Sequence, residues 1–246
     1  KEKKNTTIEY WNSTGKWRKK YYSEIKKRDW TTLSDIEQME YELDCAEYFT
    51  IKMFLESKEV FRVLDIGCGV GRQLLDLASL FPGIHFDGID IAPLQIELLD
   101  CEIKSRCLKN IKAIAMNAAD IAELNVQYDM IISCNNSLGC FSEEERSNCL
   151  KSMCKVLSTD GIFVIGNFER FDIADKCYTE WGMSLFSIDY SNRVVDLGPY
   201  KSTWLSSDML ERELYTYGLN HFYRYAAGLG SVCAFQKRGS YNEKIL

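Results

Sequence analysis

Three glycines at alternate positions follow an apolar strand pattern in the segment VLDIGCGVGRQLLDLA. Gly67, Gly69 and Gly71 separate that pattern from a helical one, and Asp65 precedes them. Glycine lets the chain turn tightly and lets a ligand lie against bare backbone. In an open α/β sheet, ligands bind beyond the carboxyl ends of the strands, where such a turn lies. The segment therefore predicts a ligand-binding loop, although Asp65 could instead only cap backbone amides within it.

The spacing of the glycines favours a nucleoside over a dinucleotide. A dinucleotide fingerprint, G-x-G-x-x-G, would place its third glycine at position 72, where this sequence has Arg72. Asp90 ends the second strand pattern, 19 residues after Gly71, and a carboxylate at that distance can accept hydrogen bonds from both hydroxyls of a ribose. Arg72 is either a surface residue of the following helix or a partner for a ligand carboxylate beside the helix N-terminus.

Several segments together resemble the class I S-adenosylmethionine-dependent methyltransferases, in particular those with small-molecule acceptors. The glycine loop is similar to that family's cofactor loop. NAADIAEL, after the third strand pattern, is similar to its adenine-binding segment, and YDMIISCNNSLGCF to its fourth-strand segment. The resemblance covers about residues 58–168 with recognisable motifs, and residues 207–237 only in the order of the elements. No motif covers the first 57 residues or residues 169–206, regions that in this family cap the active site and determine the acceptor.

The resemblance implies S-adenosyl-L-methionine as the cofactor and S-adenosyl-L-homocysteine as its product. The cofactor-binding residues that it implies lie in or directly after the strands: Asp65, Gly67, Gly69, Gly71, Arg72, Asp90, Ile91, Ala119, Asp120, Cys134 and Asn135. Asn136, with Ser137 and Leu138, would lie beside the methyl donor and the acceptor. Plainer interpretations stay open, because Asn135 and Asn136 could be turn formers and Cys134 could only pack the strand.

The candidate acceptor-binding residues are aromatic, apart from Asn136. They lie in the two regions that the family motifs do not cover: Trp17, Tyr21, Tyr22, Trp181 and Tyr200. Aromatic faces exclude water and attract cations, although these rings could simply pack the cap onto the domain. Four basic residues near the start of the chain could draw an anionic group of the acceptor, or form a solvated helix face: Lys16, Arg18, Lys19 and Lys20.

The sequence offers little for proton transfer. His221 is the one candidate catalytic base, and a lone histidine is more often structural. With two histidines and no C-x-x-C pair, no metal site is expected. The fourth-strand segment reads N-N-S-L where amino-methylating DNA enzymes have [D/N]-P-P-[Y/F], which weighs against a DNA substrate. A site poor in bases leans toward N-methylation, because a hydroxyl needs a base and a neutral amine does not.

The leading hypothesis is in-line methyl transfer to a nitrogen or oxygen of a small molecule, achieved mainly by proximity and orientation. The first alternative is a protein or peptide methyltransferase whose acceptor chain lies in an acidic groove. Less favoured alternatives are a nicotinamide-dependent oxidoreductase and a regulator that binds the cofactor without catalysis.

Strand and helix patterns alternate through the middle of the chain. Strands are expected at 60–66, 85–91, 111–116, 128–134 and 162–168, with a turn at Thr159-Asp160-Gly161, a helix near 207–217 and a terminal hairpin. We expect an α/β fold with a doubly wound, mostly parallel sheet. The resemblance implies seven strands, a Rossmann-like methyltransferase fold with an antiparallel last strand, and a helical cap. The expected division is a cap at residues 1–57 and a methyltransferase domain at 58–246, in which 169–206, taken as irregular, is an insertion.

Composition sets the wider class. Residues 1–30 contain ten Lys/Arg and four Asp/Glu, a balance of +6, so the remainder of this chain of net charge −6 carries −12. An acidic body argues against broad nucleic-acid binding. The ten cysteines are scattered, and the sequence shows no signal peptide and no long apolar run. We therefore expect a cytoplasmic protein without a membrane span. It is expected to be a monomer or a homodimer.

Overall fold

The computed structural model describes residues 2–25 and 27–237. Within the first helix, the side chains of residues 2–6, 17–19, 22, 23 and 25 are outside the described part. Four of the candidate acceptor-binding and basic residues therefore have side chains outside the described part: Trp17, Arg18, Lys19 and Tyr22.

The described chain contains seven α-helices and ten strands. The helices are α1 Glu2–Ile25, α2 Asp35–Ser57, α3 Leu74–Leu80, α4 Pro93–Ser105, α5 Glu143–Val156, α6 Ala174–Glu180 and α7 Ser207–Thr216. The strands are β1 Arg62–Ile66, β2 His85–Asp90, β3 Ile111–Ala115, β4 Tyr128–Ser133, β5 Leu157–Phe168, β6 Ser187–Asp189, β7 Val194–Asp196, β8 Lys201–Thr203, β9 Leu219–Ala227 and β10 Gly230–Lys237.

A sheet of seven strands, in the order β3-β2-β1-β4-β5-β10-β9, forms the centre of the molecule. The first five run parallel, and β10 is antiparallel to both of its neighbours. Apolar side chains of β1 point to both faces, so that Val63 belongs to one buried cluster and Leu64 to the other. The predicted fold class, a doubly wound sheet with a reversed last strand, is confirmed.

Helix α2 covers one face of the sheet and packs on β5, β9 and β10. It begins at a capping box in which the Ser34 hydroxyl accepts a hydrogen bond from the Glu37 backbone N–H. Thr50 and Phe54 face the core, while Phe49 and Met53 are 62% and 40% exposed. The predicted N-terminal cap thus divides into a helix of the sheet layer, α2, and a separate helix, α1. The domain boundary at residue 57 stays a prediction.

Strand β5 begins earlier than the predicted strand at 162–168. It spans Leu157–Phe168, but its pairing with β4 passes from Leu157 directly to Ile162, so the predicted turn at Thr159-Asp160-Gly161 lies where the chain leaves the regular ladder. The strand bulges there: Tyr128 pairs with Leu157 and Met130 with Ile162, so residues 158–161 lie opposite Asp129 alone.

Residues 169–206 are not irregular. They contain α6 and a small antiparallel sheet in the order β6-β7-β8. Trp204 is fully buried against the rings of Phe168, Phe171 and Tyr178. Part of the aromatic content therefore packs this insertion onto the sheet, as the plainer interpretation expected.

Helix α1 bridges the start of α4 and the insertion. Asn12 Oδ1 accepts a hydrogen bond from the Leu94 backbone N–H at 3.0 Å, which satisfies a free donor at the N-terminus of α4. Gly15 permits this approach, because a Cβ there would lie 3.1 Å from Cγ of Gln95. On the other side, the Thr7 hydroxyl donates to the Pro199 carbonyl at 2.9 Å. No helix among the described residues is long and apolar enough to cross a membrane.

Candidate active site

A cavity of about 200 Å³ opens at the carboxyl ends of β1, β2 and β4. Its walls come from the glycine loop, the loops after β2, β3 and β4, helix α1 and the insertion. Most of the predicted site residues whose side chains are described line it: Asp65, Gly67, Gly69, Arg72, Asp90, Ile91, Cys134, Asn135, Asn136, Tyr21, Trp181 and Tyr200. The cavity therefore collects residues from distant parts of the sequence in one place.

The glycine loop is held in shape by Asp90. One carboxylate oxygen of Asp90 accepts a hydrogen bond from the Gly69 N–H at 3.0 Å, and the other accepts from the Ala92 N–H at 2.9 Å. Gly67 and Gly69 have φ angles of 74° and 54°, in the left-handed region that favours glycine. Their missing side chains leave bare backbone at the cavity wall.

Gly71 has a packing role instead. A Cβ at this position would lie 2.4 Å from Cδ1 of Leu99 on α4, and Gly71 is not part of the cavity wall. The glycine therefore lets the loop lie against α4.

Asp65 is a buried carboxyl group at the end of β1, inside the cavity wall. Burial raises its pKa to about 7, with the negative charges of Asp90 and Glu47 acting in the same direction and the Arg72 guanidinium acting against them. A nearby cationic ligand would favour its ionised form.

Arg72 is not a surface residue, since only 10% of its side chain is exposed. Its guanidinium forms ion pairs with Asp44 and with Glu47, the latter at 2.6 Å. Two carboxylates of α2 thus balance the charge that was expected to meet a ligand carboxylate.

Glu47 is a functional candidate that the sequence analysis missed. It is fully buried in the middle of α2. One oxygen accepts a hydrogen bond from the Asn135 N–H at 2.6 Å, and Gln73 Nε2 donates to the other at 3.1 Å. Burial raises the pKa of the Glu47 carboxyl, while Arg72 and the Asn135 N–H act in the opposite direction. In the sequence, its position on the same helix face as Leu43 and Thr50 was the signal that this glutamate is buried.

The residues after β3 that line the cavity come before the predicted Ala119 and Asp120 in the sequence. Met116, Asn117 and Ala118 line the wall, whereas Ala119 and Asp120 do not. The Asn117 side chain accepts a hydrogen bond from the Ala119 N–H, and Asp120 is exposed.

The loop after β4 adopts the left-handed conformation at Asn135 and Asn136, with φ angles of 53° and 57°. Asparagine tolerates this region better than other non-glycine residues. The Asn136 side chain donates to the Thr203 carbonyl at 3.1 Å and to the Ser202 hydroxyl at 3.3 Å, which ties the loop to the insertion. Cys134 also lines the cavity, and burial raises the pKa of its thiol well above the usual range.

This geometry fits S-adenosylmethionine. Bare backbone at Gly67 and Gly69, the buried Asp65 and the Asp90 carboxylate share one wall. Two buried amide oxygens in the same cavity, Gln73 Oε1 and Asn136 Oδ1, have no hydrogen-bond partner within the described structure. A ligand with hydroxyl and amino donors would satisfy such a set.

Comparison with known proteins identifies a domain within the chain. Residues 63–161 match the family model described as "Methyltransferase domain". The chain contains a methyltransferase domain. The predicted resemblance to class I S-adenosylmethionine-dependent methyltransferases, and with it the cofactor, is thereby confirmed for this domain.

Individual relatives of the methyltransferase domain are distant. The chain is 33% identical to the uncharacterized protein RP028 of Rickettsia prowazekii over 44% of this chain and 42% of that protein. It is 29% identical to a malonyl-[acyl-carrier protein] O-methyltransferase of Bacillus cereus over 44% of this chain and 37% of that enzyme. The chain thus spans less than half the length of these curated relatives.

Among solved structures, the CcbJ methyltransferase of Streptomyces caelestis superposes with a TM-score of 0.63 at 15% identity, over 78% of this chain and 90% of that one. At this identity the likeness supports the fold alone.

His221 does not lie in the cavity of the methyltransferase domain. It pairs with Phe235, which pairs with Phe163 in the middle of β5 rather than with Phe168 at its carboxyl end. Its nearest ionised partner is Glu211, with Nδ1 and Oε2 at 3.9 Å. This position does not support the predicted catalytic role of His221.

The described residues of the methyltransferase domain contain no group of three or more His, Cys, Asp or Glu side chains placed to hold a metal ion. All ten cysteines are described, and none forms a disulfide.

Proposed function

We propose that this protein transfers a methyl group from S-adenosylmethionine to a nitrogen or oxygen of a small molecule. One observation carries the proposal: the glycine loop with its carboxylates and the aromatic residues of α1 and the insertion line the same cavity. Cofactor and acceptor would therefore meet in one compartment.

Each part of the wall would hold a different part of the cofactor. The Asp90 carboxylate would accept hydrogen bonds from the ribose hydroxyls, and Asp65 would pair with the amino group of the methionine moiety. Met116, Asn117 and Ala118 would hold the adenine. S-adenosylmethionine, when bound, supplies a methyl group already activated on a sulfonium. The residues of the chain need only bind, align and exclude water.

Orientation would provide most of the acceleration. Well-oriented partners behave as if present at about 10⁵–10⁸ M, so positioning removes much of the barrier. Trp11 lies on α1, Tyr200 and Trp181 lie in the insertion, and all three line the cavity. Trp11 and Tyr200 are in contact, with ring centres 4.8 Å apart and ring planes tilted by 44°. These rings would shield the reacting atoms from water. Two carboxylates, Glu40 and Asp65, line this cavity, and neither His85 nor His221 does.

The proposal is tested by methyl transfer from radiolabelled S-adenosylmethionine to a panel of metabolites and, in parallel, to a peptide library. We expect a labelled small-molecule product, and loss of that product in Asp90→Ala. Labelling of peptides alone would favour the alternative of a protein methyltransferase. Tight S-adenosylhomocysteine binding without any turnover would favour a non-catalytic regulator.

The acceptor of the Bacillus cereus relative is not transferred to this chain, because the likeness covers only 37% of that enzyme. The cytoplasmic location and the choice between monomer and homodimer stay predictions.

A further inference from the structure

A buried amide in the acceptor part of the cavity is fixed with its oxygen unsatisfied. Asn136 is only 2% exposed and lines the cavity. Its nitrogen donates to the Thr203 carbonyl and the Ser202 hydroxyl, which orients the amide, because the carbonyl can only accept. Its oxygen has no partner among the described residues. A buried acceptor of this kind calls for a donor from the ligand.

The position of this amide is built into the fold. A Cβ at Gly139 would lie 2.1 Å from the Thr203 carbonyl oxygen and 2.6 Å from Asn136 Oδ1. Glycine at 139 therefore makes room for the contact between the loop and β8. The Asn136 oxygen is held in place by main-chain packing as well as by its own hydrogen bonds.

The charges of the described cavity wall are mostly negative. The charged residues that line it are Glu40, Asp65, Arg72, Asp90 and Glu145. Arg72, the one cation among them, is already ion-paired with Asp44 and Glu47. Glu40, on α2, accepts a hydrogen bond from the Tyr21 hydroxyl at 2.8 Å. An anionic acceptor would be repelled here, and a cationic one attracted.

Aromatic side chains complete the acceptor part of the wall. They come from α1, the end of β5 and the insertion: Trp11, Tyr21, Phe168, Tyr178, Trp181 and Tyr200. The faces of such rings attract ammonium groups. Aromatic faces, a carboxylate and an unsatisfied amide oxygen all favour the same ligand chemistry.

We propose that the methyl acceptor is a small primary or secondary amine, which donates an N–H to Asn136 Oδ1 and whose cationic form is attracted by Glu40. This proposal rests on the proposed function and names the substrate class for its site. It replaces the expectation of an anionic acceptor drawn to the basic residues of α1, of which Lys16 and Lys20 are described and exposed.

The chemistry distinguishes an amine from an alcohol at this position. The ammonium first releases a proton to water, and the neutral amine then donates its N–H to Asn136 while its lone pair attacks the methyl carbon. The N–C bond forms as the C–S bond breaks, the electron pair of that bond stays with sulfur, and the positive charge passes to nitrogen. An alcohol that donates its O–H to Asn136 Oδ1 in the same way would have to lose that proton during the attack, and an amide oxygen is too weak a base to take it.

Binding of matched probes to the protein saturated with S-adenosylhomocysteine tests the proposal by calorimetry. The probes are 2-phenylethylamine, 2-phenylethanol and phenylacetate, and the corresponding set tryptamine, tryptophol and indole-3-acetate. We expect at least one amine to bind about tenfold or more tightly than its alcohol and its carboxylate. Equal or tighter binding of the alcohol or the carboxylate, or no binding of either amine, would overturn the proposal.

Three variants locate the effect. Asn136→Leu and Glu40→Gln should each weaken amine binding about tenfold while S-adenosylhomocysteine binding stays within about threefold. Glu42→Gln, an exposed residue of the same helix, should change neither. Unchanged amine affinity in Asn136→Leu would overturn the assignment. Failure of S-adenosylhomocysteine itself to bind the wild-type protein would instead overturn the proposed function, and this proposal with it.

Discussion

The carboxylate of Glu47 accepts a hydrogen bond of 2.6 Å from the backbone N–H of Asn135, which ties α2 to the loop after β4. The second oxygen of the same carboxylate pairs with Arg72 of the glycine loop at 2.6 Å. One buried side chain thus connects three segments that surround the cavity, although it does not itself line the wall.

Removal of Glu47 should be costly. Glu47→Ala leaves the Asn135 N–H without its acceptor and removes one of the two carboxylates that pair with the buried Arg72. Breaking a buried pair typically costs about 3–5 kcal/mol. Lys52→Ala on the same helix, which breaks an ion pair with Glu56 between partly exposed side chains, should cost about 0–1 kcal/mol. Urea unfolding measures both. Equal losses in the two variants would show that the Glu47 cluster does not stabilise the fold.

The three glycines of the loop should respond differently to substitution. Gly69→Val should abolish S-adenosylhomocysteine binding with the fold retained, because its side chain would enter the cavity wall. Gly71→Ala should mainly lower stability, since its Cβ would lie 2.4 Å from Leu99. Gly182→Ala isolates the cost of a positive φ, here 69° with no atom within 4 Å, at about 1–2 kcal/mol.

Calorimetry and thermal unfolding separate these effects. Unchanged affinity of Gly69→Val for S-adenosylhomocysteine would show that the glycines only form the turn and do not contact the cofactor. A Gly71→Ala variant no less stable than Gly182→Ala would argue against close packing of the loop on α4.

Asp65 should make cofactor binding depend on pH. With a pKa of about 7, it is protonated in much of the free protein at pH 6. A cationic cofactor must then displace that proton, so its affinity should fall about tenfold per pH unit below 7 and level off above it. Calorimetric titrations with S-adenosylmethionine from pH 5.5 to 8.5 should show this dependence of affinity on pH in the wild type and not in Asp65→Asn. The same slope in both would assign it to another group.

The same group predicts how stability changes with pH. The folded-state pKa of Asp65 is raised from 3.8 to about 7, so the folded protein keeps a proton that the unfolded chain has released. The contribution of Asp65 to stability therefore falls as the pH rises from 4 to 7 and is constant above 7. Asp65→Asn should accordingly gain stability relative to the wild type over this interval.

Displacing α1 should impair transfer more than cofactor binding. Gly15→Leu forces α1 away from Gln95, and a misplacement of about 1 Å can cost about 100-fold in rate. We expect kcat/KM for the acceptor to fall about 10- to 100-fold while S-adenosylhomocysteine binding changes less than about threefold. Ser13→Leu places the same side chain on the exposed side of α1 and should have little effect. Normal turnover in Gly15→Leu would make α1 a solvated extension.

The sheet and the glycine loop were predictable because their signals are local. The segment from Val63 to Gly71 contains a buried strand and a glycine bend in consecutive residues, and its ligand-facing backbone needs no distant partner to be recognised. The capping box of Ser142 and Glu145, at which α5 begins, is a local signal of the same kind.

What was missed depends on contacts between distant residues. Glu47 and Asn135 are 88 positions apart in the sequence, and no local pattern around either residue indicates the hydrogen bond between them. Strands of three residues, such as β7, are too short for an alternating pattern to emerge. His221 lies on β9, and its pairing with Phe235 of β10 places it away from the cavity. This strand register is a property of the folded sheet and could not be read from the residues around His221.

Calorimetric titration of the wild-type protein with S-adenosylhomocysteine, and separately with NAD⁺, distinguishes a methyltransferase cofactor site from a dinucleotide site. If the loop around Gly67 and Gly69 with Asp65 and Asp90 is a methyltransferase cofactor site, S-adenosylhomocysteine should bind one site per chain with a micromolar Kd, about −8 kcal/mol. NAD⁺ should bind far more weakly. Tighter binding of NAD⁺, or no binding of S-adenosylhomocysteine, would contradict the account.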